Sequence, residues 1–302
     1  MTTRREFIGH AAAGAALLAT QQGFAEEVAA GSKSEVVVGK GSAEEIIPKI
    51  FKKIGGIERF VKPGSRVMIK PNMSFANPPD WGTCTSPEAV YTMAKLCLDA
   101  GAKRVIICDN TLREPEQCKE KTGIAEAIKS LKGVVIFIPK QDSMFIAKSD
   151  ERAKSLPSTE VVKQVYQSDC LISLPCAKSH SAGGVSLNLK GQMGLIKERG
   201  TFHRETDMHT AIPELLYYMK PHVSFVDATR ALLDNGPAGP GKVVQLNTFV
   251  GGVDPVAVDS YAVTLASWYG KTFDGTKVKH LKNAGAMKLG NVESSMITEI
   301  AV

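Results

Sequence analysis

The chain has 302 residues, of which 43% are hydrophobic and 23% charged, and its formal net charge is +6. That mixture supplies enough apolar surface for a large folded core and excludes a disordered chain or a coiled coil. The positive excess is mild and forms no basic block interleaved with aromatics, which argues against nucleic acid as a partner and makes a small anion the expected one.

Arg4-Arg5, the small apolar run Ala11 to Ala19 and the stop Gly23-Phe24-Ala25 read as a twin-arginine export signal over residues 1–25. The expectation is a periplasmic or otherwise exported protein that folds, and acquires any cofactor, before it crosses the membrane. Removal of the signal takes away Arg4 and Arg5 against Glu6, so the mature chain stays mildly basic. No later apolar run approaches the roughly 18 to 20 residues that span a bilayer, so no membrane span is expected after cleavage.

Regular structure begins at Val36-Val37-Val38. Ser42 and Glu45 form a capping box that opens a helix with Ile46, Ile47, Ile50, Phe51 and Ile54 on one face, and Pro48 weakens its first turns. A strand follows at Val67-Met68-Ile69. Ser86-Pro87 then starts a helix carrying Val90, Met93, Ala94 and Cys97, and Arg104 to Cys108 is a strand apolar on both sides. Further on, Cys170 to Leu174 reads as a buried strand, Val185 to Leu189 as a half-exposed one and Val223 to Val226 as a strand ending at Asp227. Met208, Ile212, Leu215 and Met219 mark a helix, Asp254-Pro255 starts another, and a closing strand lies near Ile297 to Ile300. This alternation predicts one α/β domain over residues 34–302, with a mostly parallel sheet flanked by helices and a ligand cleft at the carboxyl ends of its strands.

The six cysteines include no C-x-x-C pair, which excludes a ferredoxin-type run or a zinc ribbon within this chain. An oxidising periplasm would permit up to three disulfides among them. Cys97 and Cys108 fall on apolar positions and read as packing residues, whereas Cys84, Cys118 and Cys176 fall in predicted loops and are the candidates for ligation. Four strand ends carry polar or ionisable groups: Lys70-Pro71-Asn72, Asp109, Cys176 to His180, and Asp227. Lys178, His180, Lys190, His203 and His209 crowd into one stretch of sequence, where lysine offers a point charge for phosphate or carboxylate and histidine a proton shuttle or metal ligand. The Asp234 to Gly241 loop is stiffened by proline and opened by glycine, so Gly236 can bring backbone close to a ligand. It is not a P-loop, because Val243 stands where the magnesium-binding hydroxyl is needed.

Taken together and in order, Ile69-Lys70-Pro71-Asn72, Leu174 to His180, Leu189 to Gly194, Phe202-His203, Val226-Asp227-Ala228, Asn235-Gly236-Pro237 and Asp254 to Asp259 resemble the family known as domain of unknown function 362, across about residues 36 to 300. In that family an asparagine usually stands where this chain has Gly191. The resemblance implies a redox or metal context, so the expected function is an exported oxidoreductase acting on a small anion, with an iron-sulfur cluster or divalent metal and a redox partner. In that reading Lys178, His180, Lys190 and His203 are catalytic. Lys70, Asn72, Asp109, Asp227 and Gly236 bind substrate, and Cys118, Cys176 and His209 hold metal. The alternative is a non-catalytic periplasmic factor that binds an anion or metal, or serves maturation, with the same basic cleft.

Overall fold

The computed structural model describes residues 32–200 and 206–302, so the expected export signal and His203 lie outside the described residues. The strands are β1 Ser34–Lys40, β2 Arg66–Pro71, β3 Arg104–Cys108, β4 Val134–Phe137, β5 Phe145–Ser149, β6 Ser158–Val162, β7 Cys170–Leu174, β8 Cys176–His180, β9 Gly184–Ser186, β10 Val223–Leu232, β11 Val243–Gly252 and β12 Ile297–Ala301. All but β5 and β6 join one sheet, whose main path runs β12-β1-β11-β10-β7-β2-β3-β4, with β8 and β9 attached through β10. From β10 to β4 the neighbours are parallel, and β11 is antiparallel to both β10 and β1. The fold is therefore mixed α/β with a mostly parallel sheet, as the strand and helix alternation predicts.

The apolar runs make sense because the central strands are covered on both faces. Val67 and Ile69 point into one core and Met68 into the other, and Ile107 and Ile106 divide in the same way. Helices Ala43–Lys53 and Pro87–Asp99 cover the first face, while Met208–Met219, Pro255–Val263 and Lys279–Ala286 cover the second. Helix Ala43–Lys53 runs straight through Pro48. A proline inside a helix costs about 3 kcal/mol, whereas each fully buried aliphatic or aromatic side chain contributes about 1.5–3 kcal/mol. Ile46, Ile47, Ile50 and Phe51 are all buried, so packing wins.

Four readings of the sequence change, the first being Cys176, which opens strand β8 and does not lie in a loop. Val185 to Leu189 is not a half-exposed strand: β9 stops at Ser186, and buried helix Asn188–Gly191 follows. Its start is fixed from a distance, because the Asp259 carboxylate accepts the amides of Asn188 and Leu189, each at 2.9 Å. β10 does not end at Asp227 but continues to Leu232, since β8 and β11 flank its second half. Cys118 is not in a loop, because Glu114 caps helix Pro115–Lys121 around it and its side chain is wholly buried. All six cysteines are buried and free, so the permitted disulfides do not form.

The sheet has one feature that sets up the site. β7 pairs with β10 only through Ile172 and Ser173, after which the chain bends at Pro175 and β8 takes over, with Cys176 opposite Asp227 and Lys178 opposite Leu232. β2 pairs with the other side of β7, placing Lys70 beside Ser173. Lys70, Asp109 and the β8 residues are thus gathered at one end of the sheet.

Candidate anion-binding site

Lys70 Nζ lies 3.3 Å from Asp109 Oδ1, and both side chains are almost wholly buried. Asp109 Oδ2 accepts from the Met73 amide and the Ser74 hydroxyl, each at 2.9 Å, and Lys70 Nζ donates to the Pro71 carbonyl at 2.5 Å. Burial lowers the Lys70 pKa, and the adjacent Asp109 charge opposes that shift. The segment after helix Asn188–Gly191 closes over this pair. The Gly194 carbonyl accepts the Asn110 amide at 2.7 Å, and Asn110 Nδ2 donates to the Ile196 carbonyl at 2.9 Å.

Three further cations reach the same cluster. Lys178 Nζ donates to the Thr83 carbonyl at 2.7 Å and lies 5.4 Å from the Phe75 ring centroid. Lys190 is buried, and its amine contacts Met193 Sδ at 3.0 Å. Burial pushes the Lys190 pKa down to about 7, with Lys178 and Arg199 adding repulsion. Half-buried Arg199 is also lowered by desolvation, and its opposing partner is Asp109. A cavity of about 520 Å³ is lined by Phe75, Trp81, Arg113 and Lys121 among others, and shares Phe75 with the contact to Lys178. Uncompensated buried charge is expensive. Here Asp109 pairs with Lys70 and faces Arg199, while Lys178 and Lys190 have the Thr83 carbonyl and the Met193 thioether as their hydrogen-bond partners.

The remaining sequence candidates have other occupations. Asp227 accepts the Ser86 amide at 2.7 Å and both the amide and hydroxyl of Thr229 at 2.9 and 2.6 Å, so it anchors the residue before helix Pro87–Asp99 to the sheet end. The Asn72 side-chain oxygen accepts from the amide and thiol of Cys176, at 3.1 and 3.3 Å. His180 Nδ1 accepts the Ala182 and Gly183 amides and closes the β8–β9 turn. Gly236 is pressed against Ser179: a Cβ there would overlap the Ser179 carbonyl, and its amide donates to the Ser179 hydroxyl at 3.1 Å.

The expected metal ligands do not converge. Cys118 donates weakly to the Ser74 carbonyl at 3.6 Å, Cys176 is tied to Asn72, and His209 stacks on His280 with ring centroids 6.5 Å apart. Among the described residues no group of three His, Cys, Asp or Glu side chains is placed to hold a metal ion. Burial raises the pKa of Cys118 and pushes Cys176 up to about 11 and Cys84 up to about 12, so these sulfurs are thiols at neutral pH. Cys118, Cys176 and His209 therefore do not fit an iron-sulfur or divalent metal centre as a set.

Sequence reasoning missed Arg199, Asp259 and His280. Asp259 belongs to the Asp254 to Asp259 motif and was open to notice there. His280, fully buried, has its pKa pushed down to about 3 by burial first and then by His209 and Lys190. Nothing local in the sequence marks it.

An α/β sheet with a buried cationic cluster at its strand ends is the class that fold and site define. The chain belongs to the family described as domain of unknown function (DUF362), whose profile matches residues 67–264, a narrower span than the motif order implies. A thylakoid-associated protein of Synechocystis is 26% identical over 204 residues, which cover 65% of this chain and 62% of that protein. This chain thus spans less than two thirds of that relative. The lactate racemase apoprotein of Thermoanaerobacterium thermosaccharolyticum has a similar fold, with a TM-score of 0.51 and 12% identity over 76% of this chain and 57% of that one.

Proposed function

We propose that this protein is an exported enzyme that binds a small organic anion, as substrate or as the anionic part of a cofactor, in the cleft of Lys70, Lys178, Lys190 and Arg199. The observation that carries this reading is the surplus of buried positive charge: Asp109 already accepts from Met73 and Ser74, and among the described residues Lys178 and Lys190 pair with no carboxylate. Lys178 and Arg199 hold the anion, Lys70 with Asp109 fixes the floor of the cleft, and Lys190 is the group able to exchange a proton near neutral pH. The fold neighbour is named for lactate, a small carboxylate, which is the class of ligand such a charge surplus suits.

Calorimetric titration of the mature protein with pyruvate, lactate and phosphate tests the reading. At least one should bind, and Lys178→Met should weaken it about tenfold or more, since a charge-assisted hydrogen bond contributes about 1.5–3 kcal/mol. Equal affinity in wild type and variant would contradict the role given to Lys178. Oxidoreduction of the bound anion is the reaction the family resemblance implies, and turnover with a redox dye separates it from chemistry without electron transfer. Export is tested by replacing Arg4 and Arg5 with lysine, which should leave precursor in the cytoplasm.

A further inference from the structure

The group that anion binding leaves without a defined reaction is the Lys190 amine. Helix Asn188–Gly191 holds it in place, pinned by Asp259, while β8–β9 pairing sets Lys178 opposite Ser186, one short turn of chain before Lys190. Among the described residues its hydrogen-bond partner is the Met193 thioether at 3.0 Å. An ammonium carries three donors and a thioether is a weak acceptor, so this environment suits a neutral amine with a free electron pair. The nearby carboxylates are committed elsewhere: Asp109 to Lys70, Met73 and Ser74, Asp227 to Ser86 and Thr229, and Asp259 to the helix amides.

Among the described residues the charged groups that act on Lys190 are Lys178 and Arg199, and Lys190 in turn acts on buried His280; none of them neutralises an ammonium. Neither ring nitrogen of His280 has a hydrogen-bond partner among the described residues.

We infer that Lys190 is a nucleophile that forms an imine with the carbonyl carbon of a 2-oxo acid whose carboxylate is held by Lys178 and Arg199. The inference rests on the anion-binding reading of the same cleft. Lys190 Nζ adds to the carbonyl carbon and the carbonyl electron pair moves to oxygen. That oxygen takes one proton released by the nitrogen and one from solvent, and leaves as water. The product is a protonated imine, and no oxidant or reductant enters. Cations next to an amine are a recurrent means of keeping it nucleophilic at neutral pH.

The test is reductive trapping of the mature protein with pyruvate and borohydride, followed by peptide mass mapping, beside calorimetric titrations with pyruvate and phosphate. The expected result is a reduced pyruvate adduct on the Lys190 peptide and its loss in Lys190→Arg, with the melting temperature of the variant confirming that it folds. Wild-type mapping alone decides the matter if that variant does not fold. Binding of pyruvate or phosphate without an adduct on Lys190, or an adduct on another lysine, overturns the inference and leaves anion binding standing. Absence of binding of either probe, with no adduct, overturns both.

Discussion

Gly194 is packed so closely on Asp109 that a single added carbon would collide with the carboxylate: its Cβ would overlap Asp109 Oδ1 and Lys70 Cε and lie 2.8 Å from Lys70 Nζ. The cleft floor is built by the absence of a side chain. Gly194→Ala should therefore destabilise the protein by about 1–3 kcal/mol, as overpacking does, and weaken anion binding because Lys70 must move. Gly191 is the internal control. It sits in helical backbone, and an added Cβ would meet Pro175 Cβ at an ordinary 3.8 Å, so Gly191→Ala should stabilise by about 0.5–1 kcal/mol. Urea denaturation of the two variants checks both signs.

The Lys70–Asp109 pair should show strong coupling. Removing either partner leaves a buried charge without its ion-pair partner, at a cost of about 3–5 kcal/mol. Lys70→Met with Asp109→Asn removes both charges, so the double variant should lose clearly less than the two single losses added together. Additive losses would mean that the pair does not interact.

Lys190 makes stability depend on pH in a direction that can be worked out. Its folded pKa of about 7 lies below the ordinary lysine value of 10.5, so the folded state disfavours the charged form. The unfolded chain binds more protons between those values, and stability rises with pH across that window. The destabilisation is complete below about pH 7 and fades toward pH 10.5. Lys190→Met should accordingly stabilise the anion-free protein by on the order of a few kcal/mol at acidic pH, with the advantage shrinking as pH rises. Denaturant midpoints of wild type and variant across that range report it.

Glu214 separates stability from function. Its buried carboxylate accepts the backbone amides of Lys154, Ser155 and Leu156 at 2.7–3.0 Å, tying helix Met208–Met219 to the loop after β5. Glu214→Ala should lower stability by about 2–4 kcal/mol, because several buried donors lose their acceptor. Affinity for the anion should stay unchanged, since Glu214 lies outside the cationic cluster.

Much of the fold was legible because parallel strands covered on both faces write continuous apolar runs, as Val67 to Ile69 and Arg104 to Cys108 do. The misread elements were decided by distant partners. Val185, Leu187 and Leu189 alternate like a strand, but Asp259 pins the Asn188 and Leu189 amides and makes a helix there. Lys70, Asp109, Lys178 and Lys190 were legible as strand-end and motif residues, and the structure gathers them. Asp227 looked identical in sequence terms, yet the Ser86 amide claims it. Cys118, in a short charged segment after Pro115, read as a loop, and only the closure of helix Pro115–Lys121 on the core reveals it as packing. Arg199 and His280 belong to the site environment through tertiary placement, which no local pattern encodes.

The central claim is that the buried cations of this cleft await an anion, and side-chain nitrogen NMR of the lysines tests it most directly. Titrated alone, the Lys190 amine should change protonation near pH 7, because burial lowers its pKa to about that value. With saturating pyruvate or phosphate present, its midpoint should move up, because the bound negative charge favours the ammonium. For pyruvate, conversion of the Lys190 signal to that of an imine would replace the shift. A Lys190 amine that titrates like an exposed lysine, or one unmoved by both anions, would contradict the account.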